Sequence, residues 1–118
     1  MHPQLELLLE LQDLKTQRRS LAEDGLSEVE SAVFELRPSE ALEILDGKIE
    51  ELAGRLEAPV RARFSEVSQS LGRAVAPVLN GICYGCFVAI PTAWSSEVSR
   101  NDRINVCDHC GRFLYYVD

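Results

Sequence analysis

Cys83-Tyr84-Gly85-Cys86 and Cys107-Asp108-His109-Cys110-Gly111 are two Cys-x-x-Cys pairs with twenty residues between Cys86 and Cys107, and their reading decides the rest of the chain. A tetrahedral zinc site needs four thiolates about 2.3 Å from the ion, and a two-residue spacer lets one tight turn present two of them while its amides donate to sulfur. Gly85 and Gly111 supply the backbone freedom such turns need. Residues 87–90, 104–106 and 113–117 are β-prone, so each pair is expected to open into short strands. Residues 80–118 therefore read as a C4 zinc ribbon.

Competing readings of the pairs are a redox dithiol, an iron-sulfur cluster or chance. A redox site needs only one pair. Cys83, Cys86, Cys107 and Cys110 fill the coordination of one zinc ion, making it structural and leaving no position for a catalytic water. A module of under about forty residues has too little core to fold without that metal. His109, between two ligands, is expected to be exposed, and His2 carries no signal. Trp94 is expected to cap the ribbon's small core.

Upstream, residues 1–79 read as a helical hairpin. Leu7, Leu11, Leu14, Arg18 and Leu21 recur at heptad spacing with one charged intruder. The seam reappears at Leu26, Val29, Val33 and Leu36 after a break near Gly25, where Ser27 and Glu30 form a capping box. Arg37-Pro38-Ser39 marks the turn, with Ser39 able to cap the return arm. Leu42, Leu45, Ile49, Leu52 and Leu56 continue the seam, then Val60, Phe64, Val67, Leu71 and Val75 follow after a stutter at Pro59 that bends or splits the arm. Asn80-Gly81 is expected to end the helix. Folding back at Pro38 sets Leu7 against Val67, Leu11 against Phe64 and Arg18 opposite Glu57. The fold class is mainly α: an antiparallel, coiled-coil-like hairpin with a small C-terminal β zinc ribbon.

The 118 residues are 46% hydrophobic and 26% charged, globular proportions that exclude a disordered or low-complexity chain. No apolar run approaches the roughly 20 residues needed to cross a bilayer. The first residues lack the basic start and apolar core of a secretory signal, so a cytoplasmic protein with reduced thiols is expected. The net charge is -7, and residues 23–57 hold eleven acids against Arg37, Lys48 and Arg55. That acidic half disfavours nucleic-acid binding through a broad basic face.

The ribbon resembles the bacterial C4-type zinc-ribbon family that carries an N-terminal coiled-coil hairpin. Gly85, Ile90, Pro91, Gly111, Arg112, Leu114 and Tyr115 fit that family's pattern, while the hairpin is shorter than usual. The resemblance implies a non-enzymatic adaptor, with relatives linked to flagellar or type III secretion machinery, to an alternative sigma factor and, in one lineage, to a messenger RNA.

Three functions follow as expectations. In the first, the chain is a zinc-binding adaptor or regulator whose hairpin docks a protein partner through Leu45 and Leu52, either as a monomer or as a homodimer. In the second, Glu35, Glu40 and Glu43 at an acidic tip enter the secondary channel of RNA polymerase, a plan similar to known channel regulators. In the third, Arg100, Arg103 and Arg112 of the ribbon bind nucleic acid. No enzyme constellation is present in the sequence.

Overall fold

The computed structural model describes residues 1–24, 37–95 and 100–117. Helix α1 (Pro3–Asp24) opens after His2, whose Nδ1 accepts from the Gln4 amide at 3.0 Å. Helix α2 (Pro38–Gly54) opens after Arg37, whose amide donates to Glu40 Oε2 at 3.4 Å, with the proline in the first turn, where its missing N–H costs nothing. The cap is thus Arg37, not Ser39. The two helices are antiparallel: Gln4 reaches the residues just past the end of α2, and Arg18 pairs with Asp46 within it. Gly25, the capping box at Ser27 and Glu30, the seam from Leu26 to Leu36, and Glu35 lie outside the described residues.

The return arm does not continue in one direction. Helix α3 (Ala58–Leu71) follows α2 after a break at Arg55, Leu56 and Glu57. Its place beside α1 advances in the same sense as α1 itself: Glu57 meets Gln4, Phe64 lies under Lys15, and Gly72 sits beside Arg19. So α3 runs with α1, and the expected one-register fold-back is corrected. Arg18 meets Asp46, not Glu57, through a bidentate contact whose second bond is 3.3 Å. That pairing follows from the α1–α2 register, in which Glu57 stands at Gln4, whereas Pro59 accounts for the break before α3, because proline is tolerated in a first helical turn and not in a helix interior. Gln4 closes the reversal: its Nε2 donates to Arg55 O at 3.2 Å, and its Oε1 accepts the Glu57 amide at 2.8 Å.

The chain then departs from the expected helix. Val75–Leu79 is a strand, β1, and Asn80 and Gly81, with φ of 51° and 74°, form the two-residue turn of a hairpin into β2 (Ile82–Cys83). Two left-handed residues in succession match the primed turn that Asn-Gly favours, so the dipeptide ends no helix here. Further along come a short helical turn α4 (Thr92–Ser95), a 3-10 turn (Arg100–Asp102) and strand β3 (Phe113–Tyr116). The sheet order is β2-β1-β3, with β1 antiparallel to β2 and parallel to β3. Pro77 is accommodated in the central strand because β2 pairs only Val78 and Leu79, beyond the proline. The β-prone stretches at 87–90 and 104–106 contribute single bridges, Ile82 to Ala89 and Val106 to Phe113.

Alternation along the strands divides the core in two. Val75 and Phe113 join Leu8, Leu11, Leu52, Leu56, Phe64 and Val67 against the helices, while Ala76, Val78, Leu114 and Tyr116 join Cys83, Ile90 and Cys107 on the opposite face. Gln12 Oε1 accepts the Val75 amide at 2.7 Å and ties α1 to the start of the sheet. Leu52, expected at a docking surface, is 1% exposed within the helical core and is corrected to a packing residue. Trp94 is 39% exposed and outside both cores, so it caps neither. Among the described residues no helix is long and apolar enough to cross a membrane.

Leu8→Ala should lower the unfolding free energy of the zinc-loaded protein by about 2–5 kcal/mol, through lost burial and a cavity. Gln12→Ala should cost about 1–3 kcal/mol by leaving the Val75 amide without its acceptor. Urea titration followed by circular dichroism measures both.

Candidate metal centre

The two knuckles are built alike. In the first, the Phe87 amide donates to Cys83 O at 2.7 Å and the Cys83 amide to Val88 O at 3.0 Å. In the second, the Gly111 amide donates to Cys107 O at 2.9 Å and the Cys107 amide to Arg112 O at 2.8 Å. Cys83 therefore corresponds to Cys107, Phe87 to Gly111 and Val88 to Arg112. The corresponding residues Phe87 and Gly111 both take positive φ, 60° and 81°. Glycine does so freely, whereas a bulky side chain there costs roughly 1–2 kcal/mol. The sequence gives no sign that Phe87 is strained, because the signal is its equivalence to Gly111 in three dimensions.

The four sulfurs converge. Cys83 Sγ lies 3.9 Å from Cys110 Sγ and Cys86 Sγ 3.7 Å from Cys107 Sγ, and all four lie within 4.8 Å of one another. The edge of a tetrahedron with bonds of about 2.3 Å is about 3.8 Å, so the spacing fits one zinc ion. His109 is exposed and outside the cluster, as its place between two ligands implied. Cys83 and Cys107 are buried, Cys86 and Cys110 half-buried. Zinc is held here by four protein sulfurs and has a structural role, since its shell is complete without water.

Backbone amides point at three of the sulfurs: those of Gly85 and Cys86 at Cys83, that of Val88 at Cys86, and, at the position equivalent to Val88, that of Arg112 at Cys110. Burial pushes the Cys83 thiol up, and it pushes Cys86 up to about 12 despite the Val88 amide. At Cys110, burial is more than offset by the Arg112 amide and guanidinium and by neighbouring sulfurs, which bring the thiol to about 7. Without a cation Cys83 and Cys86 resist ionisation.

Arg112 also crosses from one knuckle to the other. Its Nε donates to Arg73 O at 2.8 Å, and its side chain passes so close to Gly85 that a Cβ there would meet Arg112 Cδ at 2.7 Å and Ala76 Cβ at 3.1 Å. Gly85 is thus required for space. Sequence reasoning missed this, along with the roles of Gln4 and Gln12. Of the other residues singled out, Glu40 and Glu43 are exposed on α2, Leu45 is half-buried, and none of them approaches the metal centre.

Residues 82–114 match the family model described as the C4-type zinc ribbon domain, so the chain carries such a domain. Among solved structures, the chain is similar to CT398 from Chlamydia trachomatis, with a TM-score of 0.57 and 24% sequence identity. The match covers 82% of this chain but 42% of that one, and it speaks for the fold alone. Comparison with curated proteins finds no match.

Elemental analysis should find one zinc per chain, and a strong chelator should collapse the near-ultraviolet signal of the ribbon. Because the Cys86 thiol must lose its proton to bind, apparent zinc affinity should fall as pH falls, measurable by competition with a chromophoric chelator between about pH 8 and 5. Phe87→Gly should raise zinc-loaded stability by about 1 kcal/mol by relieving the left-handed strain, while Gly85→Ala should lower it by forcing Arg112 aside.

Proposed function

We propose that this chain is a non-enzymatic zinc-braced adaptor that binds a protein partner through the exposed face of α2. The observation that carries this reading is Ile44, a large aliphatic side chain 61% exposed, one helical turn after exposed Glu40 and next to exposed Glu43. An apolar anchor rimmed by acids suits a partner offering an apolar pocket with basic edges. Leu45 contributes its half-buried edge, while Leu52 serves packing. The resemblance to hairpin-bearing zinc ribbons points to a flagellar or type III secretion component, or an alternative sigma factor, in the cytoplasm.

The polymerase-channel reading draws support from the exposure of Glu40 and Glu43, although Glu40 also accepts the Arg37 amide at the head of α2. Nucleic-acid binding by the ribbon draws support from a cleft of about 310 Å³ lined by Trp94, Arg100 and Arg103. Stacking on an exposed indole beside guanidinium groups suits single strands.

Ile44→Glu should abolish co-purification with a purified sigma factor or secretion component at unchanged zinc content, and full retention of that binding would sink the adaptor reading. Glu40→Ala with Glu43→Ala should erase an effect on transcription without releasing polymerase if the channel reading holds. Ribbon binding to RNA should weaken steeply with added salt, and a flat response excludes it.

A further inference from the structure

A second concave site lies at the junction of α1, α3 and the link into β1. It is a cleft of about 310 Å³, large enough for a small ligand. Lys15 and Arg19 of α1 and Arg73 of the link line it, with the Ser68 and Thr16 hydroxyls on its walls and Phe64 as an apolar floor. Among the described residues no carboxylate lines it, although the chain carries a net charge of -7. Nor does an ion pair join Lys15, Arg19 or Arg73 to an acid among the described residues.

The three cations differ in setting. Lys15 is half-buried with its ammonium 5.0 Å from the centre of the Phe64 ring, and desolvation lowers its pKa. A partly dehydrated ammonium gains more from an anion than one in bulk water does. Arg19 and Arg73 are exposed at the mouth, and Arg19 lies within 4 Å of where a Cβ on Gly72 would stand. Two planar forks and one point charge around a cleft make a donor set matched to phosphate oxygens.

The simpler account is that Arg19 answers the negative end of the α3 dipole at Gly72. That explains one cation. It leaves Lys15 and Arg73, both lining the cleft, without an ion pair among the described residues.

We infer that this cleft binds a small phosphate-bearing anion, clamped between Lys15 and Arg19 on α1 and Arg73 at the entry to the sheet. The site lies apart from the α2 face and does not depend on the adaptor reading. Because the clamp joins a helix to the strand that carries the ribbon, an occupied cleft stiffens the junction between the two halves.

Isothermal titration of the zinc-loaded full chain with inorganic pyrophosphate and, separately, with adenosine monophosphate tests it. Saturable binding of either probe is expected, weakened at least tenfold by Arg19→Gln combined with Arg73→Gln. Both residues are exposed, so unchanged circular dichroism and zinc content accompany that variant. Tighter binding of pyrophosphate would identify a free phosphate ligand, and tighter binding of the nucleotide an organic phosphate. Ser68→Glu places a carboxylate among the cations and should both abolish probe binding and raise the melting temperature. The inference is overturned if neither probe saturates, if binding survives the double arginine variant, or if Ser68→Glu leaves binding intact.

Discussion

A closed shell of four sulfurs is the constraint on which the rest of this molecule depends. Among the described residues the buried core on the metal side is Ala76, Val78, Leu114 and Tyr116 of the sheet with Ile90 and the cysteines, too small a core to order a module of this size unaided. Burial pushes the Cys83 thiol up and Cys86 up to about 12, while the Arg112 amide and guanidinium help bring Cys110 to about 7, so a divalent cation has to supply the charge that ionises Cys83 and Cys86. The turn amides are already aimed at sulfur by the knuckle bonds. Metal affinity and ribbon stability are consequently one free energy.

That free energy reaches the helices through β1. Its period-two alternation sends Val75 to the helical core and Ala76 and Val78 to the metal side, while β3 repeats the division in register, Phe113 opposite Val75 and Leu114 opposite Ala76. A slip of one residue would turn both sets to the wrong face, so the metal side and the helix side fix each other's register. Two polar clamps converge on the same short link: Arg112 on Arg73 O, and Gln12 on the Val75 amide. The ribbon is a layer of the domain, with zinc on one face and three helices on the other.

The metal ligands were legible because zinc coordination is a local demand, written as two close cysteine pairs, although only the second pair has its glycine at the left-handed position. The antiparallel pairing of α1 and α2 was legible from heptad spacing. The course of the chain from Leu56 to Asn80 was not, because periodicity reports which residues are apolar and not which way a helix points after a break. Val60, Phe64 and Val67 keep helical spacing whether α3 extends the arm or reverses at Pro59. Asn80-Gly81 is equally ambiguous, since its taste for positive φ serves a helix end and a primed hairpin turn alike. The β-branched and apolar run Val75-Ala76-Pro77-Val78-Leu79 ahead of it was the signal for the hairpin, and Pro77 obscured it. Arg18 shows the cost of a misplaced register: in the pairing of α1 with α2 Glu57 stands at Gln4, and Asp46 is the acid within reach of Arg18.

The two knuckles share one hydrogen-bond scheme but not one residue at the left-handed position, and the difference shows which force governs them. Gly111 adopts φ of 81° at no steric cost, whereas Phe87 adopts 60° against its preference. Burial does not compensate Phe87, which is 69% exposed and touches Tyr84 edge-on with ring centres 5.6 Å apart, a contact between two exposed rings. The bonds from Phe87 N–H to Cys83 O and from Cys83 N–H to Val88 O hold the residue there, in the turn that aims Cys83 and Cys86 at one point. A strained backbone of roughly 1–2 kcal/mol is small beside the roughly 10–16 kcal/mol of structural zinc binding. The cage can therefore dictate the backbone of its own loop, and an exposed aromatic at the knuckle tip is a side chain the fold does not need for packing.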